Sequence, residues 1–161
     1  MEVSDEVQRT AQRIFAHLGR AFSFEALTLL TEGCRVKRLR FEQIRTPLAI
    51  TGCCVALQDV DLIITQMGMD EILTQTAKLH EIAHLLLGHV PRFSDGPSTS
   101  TYEEFQHHRE LKHSVYRTHR TIYDDCREQD AETLATLLLD GISQGETLLP
   151  KSAEDVHGWN R

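Results

Sequence analysis

The chain has no apolar run long enough to cross a bilayer, no excess of positive charge, no CxxC pair, and only four prolines in 161 residues. Each absence removes a class of reading. Without about 20 consecutive apolar residues, no membrane helix is expected. A formal net charge of -7 argues against direct nucleic-acid binding, which needs a basic face. The one local basic stretch, Arg35-Val36-Lys37-Arg38-Leu39-Arg40, reads as an exposed strand face. Cys34, Cys53, Cys54 and Cys126 have no metal-binding or redox spacing, and the adjacent pair faces opposite ways on a strand, so reduced, buried thiols are expected. The opening residues Met1-Glu2-Val3-Ser4-Asp5-Glu6 are acidic and lack a secretory signal, which with reduced thiols sets the expectation of a cytoplasmic protein.

What is present fits one globular domain over residues 1–161: 40% hydrophobic and 25% charged residues. Val3, Val7, Ala11, Ile14 and Leu18 recur at helical spacing, predicting a helix over 4–19 closed by Gly19. Ser23 caps a second helix, with Phe22 and Leu27 placed as a hydrophobic staple and Gly33 as its left-handed end. Strands follow at 35–41, 48–57 and 60–65, the last two forming a hairpin. Asp70 caps a helix whose apolar residues over 72–87 wrap most of its surface, as in a buried helix, and Pro91 stops it after His89.

Residues 91–122 form a polar insert or lid containing His107, His108, His113 and His119; the stretch 102–119 reads as solvated, although it could donate a ligand or a proton. A last helix runs over 123–140 with Gly141 just past its end. Ala131, Leu134, Ala135 and Leu138 make its core face, flanked by Glu128 and Asp130, either of which could point inward. The domain core spans about 20–141, and 142–161 is a tail. The fold class is α+β: N-terminal helices, a small, mainly antiparallel three-stranded sheet, and two later helices.

The chemistry lies in His80-Glu81-Ile82-Ala83-His84. Histidines four apart stack on one helix face and can reach a single tetrahedral zinc, while Glu81, one step round, can act as general base. Two histidines and a glutamate in a largely apolar helix need partners, and a metal supplies them. The extended HExxHxxGxxH arrangement is ruled out by Leu87 and Val90, which leaves His89 as a helix-end residue or a support for a ligand. A carboxylate from a later helix is the remaining common solution, and residues 128–132 supply candidates.

In these two helices the chain resembles the ImmA/IrrE family of zinc metallopeptidases, whose members combine H-E-L-G-H-L-L-L-G-H with a later E-x-E-A-x-x-x-A-x-x-L-L. Residues 80–89 match the first, with Ile82 and Ala83 where Leu and Gly are usual; residues 128–138 match the second. The resemblance spans about 20–140, with a longer, more histidine-rich insert between the helices. It implies a zincin-like fold and hydrolysis of peptide bonds, often in a partner helix-turn-helix repressor. His80 and His84 are then the zinc ligands, Glu81 the base, and Asp130 the third ligand. The family has Glu at that place; Asp is one methylene shorter, so either the helix sits closer or Glu128 takes over. Glu132 supports a ligand or is solvated. The second electrophile is open among Tyr102, Tyr116, Tyr123 and the insert histidines. The alternative function is a zincin scaffold without significant proteolysis, acting as a sensor or toxin–antitoxin-like partner of a transcription factor.

Overall fold

The computed structural model describes residues 3–45, 51–90, 100–107 and 124–148. Within them the chain is α+β, with five α-helices and one three-stranded sheet. Strand β3 (Val60–Gln66) is buried from Val60 to Thr65, and a strand apolar on both faces belongs in the middle of a sheet. It lies between β1 (Arg38–Ile44) and β2 (Gly52–Ala56), in the order β1-β3-β2. The β2–β3 hairpin forms as the sequence predicts. The sheet is not mainly antiparallel, however, because β3 inserts between its two predecessors and pairs parallel to β1.

Helix α1 (Asp5–Leu18) is capped by Ser4, which accepts the Val7 N–H, and ends at Gly19. Helix α2 (Phe24–Arg35) is capped by Ser23, and both staple residues, Phe22 and Leu27, are buried. It does not stop at Gly33. The left-handed residue is Val36 (φ 55°), whose N–H bonds back to the Glu32 carbonyl. The helix runs on because Arg35 is buried against β3: its Nε and Nη2 donate to the two Asp61 oxygens at 2.7 and 3.0 Å, and its Nη1 donates to the Val90 carbonyl at 2.7 Å. Lys37 joins the cluster, donating to the Leu57 carbonyl at 2.8 Å. The basic stretch is therefore not a solvated strand face at Arg35 and Lys37. A buried ion pair persists only where further hydrogen bonds satisfy it, as here.

Asp70 caps α3 (Glu71–Leu86) by accepting the Leu73 N–H. The first turn is open to solvent, with Ile72 and Leu73 exposed, so the helix is not buried all round; burial is complete at Leu79, Ile82 and Ala83. It ends because Gly88 takes φ 72° and the Gly88 and His89 N–H groups close back on the Leu85 and His84 carbonyls before Pro91, which lies outside the described residues.

The sheet separates two cores. Leu39, Cys54 and Ile63 pack with α3 and the other long helices, whereas Cys53, Val55, Leu62 and Ile64 face Phe105 of the short helix α4 (Tyr102–His107). Cys53 and Cys54 thus point to opposite faces, as predicted. None of the four cysteines forms a disulfide, but Cys34 and Cys126 are exposed rather than buried. The insert is solvated on only one face over 102–107: Glu103, Glu104 and His107 are exposed, whereas Phe105 is wholly buried and the Tyr102 hydroxyl and Gln106 amide donate to Glu42. His108, His113, His119, Tyr116, Tyr123 and residues 149–161 lie outside the described residues.

Helix α5 (Asp125–Leu148) continues past Gly141 instead of ending there. Gly141 and Gly145 make room for neighbours. A Cβ on Gly145 would stand 2.2 Å from the Phe22 carbonyl oxygen, and one on Gly141 2.7 Å from the Phe15 ring. These glycines let α5 lie directly on the α1–α2 connection, and α5 also packs along α3. Among the described residues, no helix is long and apolar enough to cross a membrane.

Helix propensity alone favours alanine over glycine by about 1 kcal/mol. Gly33→Ala, at an exposed helical site with open space around it, should raise stability by roughly 0.5–1 kcal/mol. Gly145→Ala should lower it by about 1–3 kcal/mol through overpacking. Urea unfolding of the two variants checks the opposite signs.

Candidate metal centre

The seam between α3 and α5 decides which side chains meet. Ala131, Leu134, Ala135 and Leu138 turn one stripe of α5 toward Leu79, Ile82 and Ala83 of α3. Residues two apart on a helix lie about 160° apart around its axis, so Glu128 and Asp130 emerge on opposite edges of that stripe. The Glu128 edge is the one beside the α3 histidines.

There His80 Nε2 lies 3.1 Å from His84 Nε2 and 3.2 Å from Glu128 Oε2, and His84 Nε2 lies 3.5 Å from Glu128 Oε1. A tetrahedral ion with ligands at about 2.0–2.1 Å holds them about 3.3 Å apart. The three donors thus already stand at the spacing of one face of a coordination tetrahedron, and this group could hold a metal ion. Asp130 is not part of it. Its charge acts instead on His89, together with Glu6 and Asp124 and against Arg127. Of the two candidate carboxylates, the structure brings Glu128 beside the histidines, while Asp130, which the family resemblance put first, lies on the other side of the helix.

The protonation chemistry suits ligation. Burial, reinforced by His80 and His89, lowers the His84 pKa to about 3, so its imidazole stays neutral with a lone pair to give. The outward nitrogens of both histidines have partners: His80 Nδ1 lies 3.3 Å from Glu132 Oε2, and His84 Nδ1 lies 2.9 Å from His89 Nδ1. A carboxylate facing Nδ1 holds the proton there and leaves Nε2 free for an ion. Glu132, 70% exposed, thus supports His80 from the solvent side.

Glu81 does not join the ligand group. It is buried, and desolvation, with the nearby Glu128 charge, pushes its pKa up to about 8. Its side chain lies over Gly52 of β2, where an added Cβ would meet Glu81 Cγ and Oε1 at 3.4 Å. The same carboxylate, second to burial, raises the Cys53 thiol to about 12 and helps hold the Cys54 thiol well above the ordinary thiol range, which keeps both protonated. Thr65, opposite Gly52 in the ladder, carries a buried hydroxyl with no hydrogen-bond partner on this face of the sheet.

The contribution of Arg35 is invisible to motif reading, although an aspartate inside Val60-Asp61-Leu62-Ile63-Ile64 signals a buried partner somewhere. A hollow of about 550 Å³ lined by Phe24, Gln43, Met69, Thr74, Gln75 and Lys78 contains none of the donors; it uses a different face of α3. Compared with protein-family models, with curated proteins and with solved structures, the chain matches none.

Two outcomes follow from this geometry. Glu128→Ala should lose metal affinity by at least about 10-fold while Asp130→Ala keeps it, as read by competition with a chromophoric chelator; the reverse pattern would restore Asp130 as ligand. In metal-free protein, Glu81 titrates near 8 when folded against an ordinary 4.5. Between those values the unfolded chain has released a proton that the folded chain keeps, so stability falls as pH rises from about 4.5 to about 8. Denaturation midpoints of Glu81→Gln should fall less over that window than those of the parent.

Proposed function

We propose that the chain is a cytoplasmic, zinc-dependent endopeptidase of narrow specificity, with a zincin-like fold akin to the ImmA/IrrE family, that cleaves a helix-turn-helix repressor. The observation that carries this reading is the meeting of His80 and His84 with Glu128 at tetrahedral spacing, next to a buried carboxylate on the same helix. Two imidazoles and one carboxylate, with a fourth position open, is a donor set of catalytic zinc sites. Bound there, zinc supplies Lewis acidity toward a peptide carbonyl and toward water.

The protein's own part is proton handling and orientation. Glu81 accepts a proton from the attacking water on a carboxylate oxygen and delivers it to the leaving amide nitrogen. A base held near neutral pH by burial can do both, since it neither keeps nor releases its proton too readily. Gly52 leaves the carboxylate the space it occupies. Glu132 orients the His80 imidazole from behind.

The rival reading, a zincin scaffold that binds a transcription factor without cutting it, draws its support from the small size of the chain and from the short Asp130. Glu128 beside the histidines supports the peptidase reading on the second of these grounds and leaves the first as it was.

The test is incubation of purified, zinc-loaded protein with helix-turn-helix repressors, beginning with any encoded by a neighbouring gene, followed by mass spectrometry of the products. Cleavage should vanish with a chelator. In Glu81→Gln it should fall by about 10²–10⁴-fold with zinc still bound. Undiminished cleavage by that variant, or none by the parent on any such repressor, would overturn the assignment.

A further inference from the structure

Where α3 ends, the chain folds back on itself. Gly88 adopts φ 72°, its N–H donates to the Leu85 carbonyl at 3.2 Å, and the His89 N–H donates to the His84 carbonyl at 2.9 Å. This is the paired closure of a Schellman motif, and it needs a residue at ease with positive φ at position 88. The reversal lays the His89 ring against His84, with ring centres 5.1 Å apart and Nδ1 facing Nδ1 at 2.9 Å. The next residue is tied down as well, since the Val90 carbonyl accepts from Arg35, which is itself clamped by Asp61. His89 is thus held from both sides.

Two imidazole nitrogens 2.9 Å apart share one proton: none leaves facing lone pairs, and two leaves facing N–H groups. His84 turns Nε2 toward His80 and Glu128, where it must keep its lone pair to ligate, so its proton belongs on Nδ1. His89 Nδ1 is then the acceptor. The arrangement differs from the support of His80, whose partner is a largely exposed carboxylate.

We propose that His89 is a positioning residue of the metal centre: its Nδ1 accepts the Nδ1 proton of His84 and so fixes the tautomer and ring plane in which His84 Nε2 meets the ion. This rests on the reading of His80, His84 and Glu128 as a metal site.

The test compares zinc affinity, by chelator competition, and the visible spectrum of the cobalt(II)-loaded full chain for the parent and four variants. His89→Ala should bind zinc about 10–100-fold more weakly and shift the cobalt bands. His89→Asn, whose Oδ1 stands where Nδ1 stood, should recover most of the affinity; His89→Phe, which keeps ring bulk without an acceptor, should not. Melting of the metal-free forms separates affinity from folding. Equal affinities for the Asn and Phe variants, or parent-like affinity and spectrum in His89→Ala, would overturn the proposal. His84→Ala binding as well as the parent would instead overturn the metal site itself.

Discussion

Helices α3 and α5 come from distant parts of the chain and meet along a seam of leucines, isoleucines and alanines that is closed to water. The polar chemistry occupies the edges of this seam: imidazoles on one helix, carboxylates on the other. The seam's small residues, Ala83, Ala131 and Ala135, let the two backbones approach, and burial of the larger ones favours the contact at roughly 25 cal/mol per Å² of apolar surface. The position of every donor follows from this packing. Glu128 reaches the histidines because it borders the buried stripe on the near side, and Asp130 does not because it borders the far side.

Much of this arrangement is legible in the sequence. Ser23 and Asp70 announce the starts of two helices by their capping chemistry, and each caps as read. The hairpin and the opposite facing of Cys53 and Cys54 follow from alternation. The HExxH spacing fixes the relation of His80, Glu81 and His84, because local helical geometry carries it. What the sequence hides is set by contacts between distant segments. Gly33 and Gly141 look like helix ends, yet one lies in a helix prolonged by a buried arginine and the other in a helix that uses its missing side chain for packing. The choice between Glu128 and Asp130 is of the same kind: both flank one core face, and only the partner helix tells them apart.

The sheet adds a second constraint. Its central strand carries a charge, Asp61, in an otherwise apolar run, and that charge gathers Arg35, Lys37 and, through Arg35, the chain just beyond α3. The ion pair thereby joins the end of α2, the middle of the sheet and the exit from the histidine helix. Burying such a cluster yields little net stability but makes removal of one partner expensive, which favours a single arrangement of the three elements.

His80 and Glu128 stand 48 positions apart in the chain. An ion joining them would act as a cross-link, closing a loop of that length and removing about 4 kcal/mol of disorder from the unfolded chain by the entropic relation used for disulfides. Loop closure varies only logarithmically with length, about 0.6 kcal/mol per doubling. In entropic terms the centre is therefore nearly indifferent to the length of the chain between α3 and α5, so that changes of length on either side of the anchored α4 would leave this rigid bolt as tight as before.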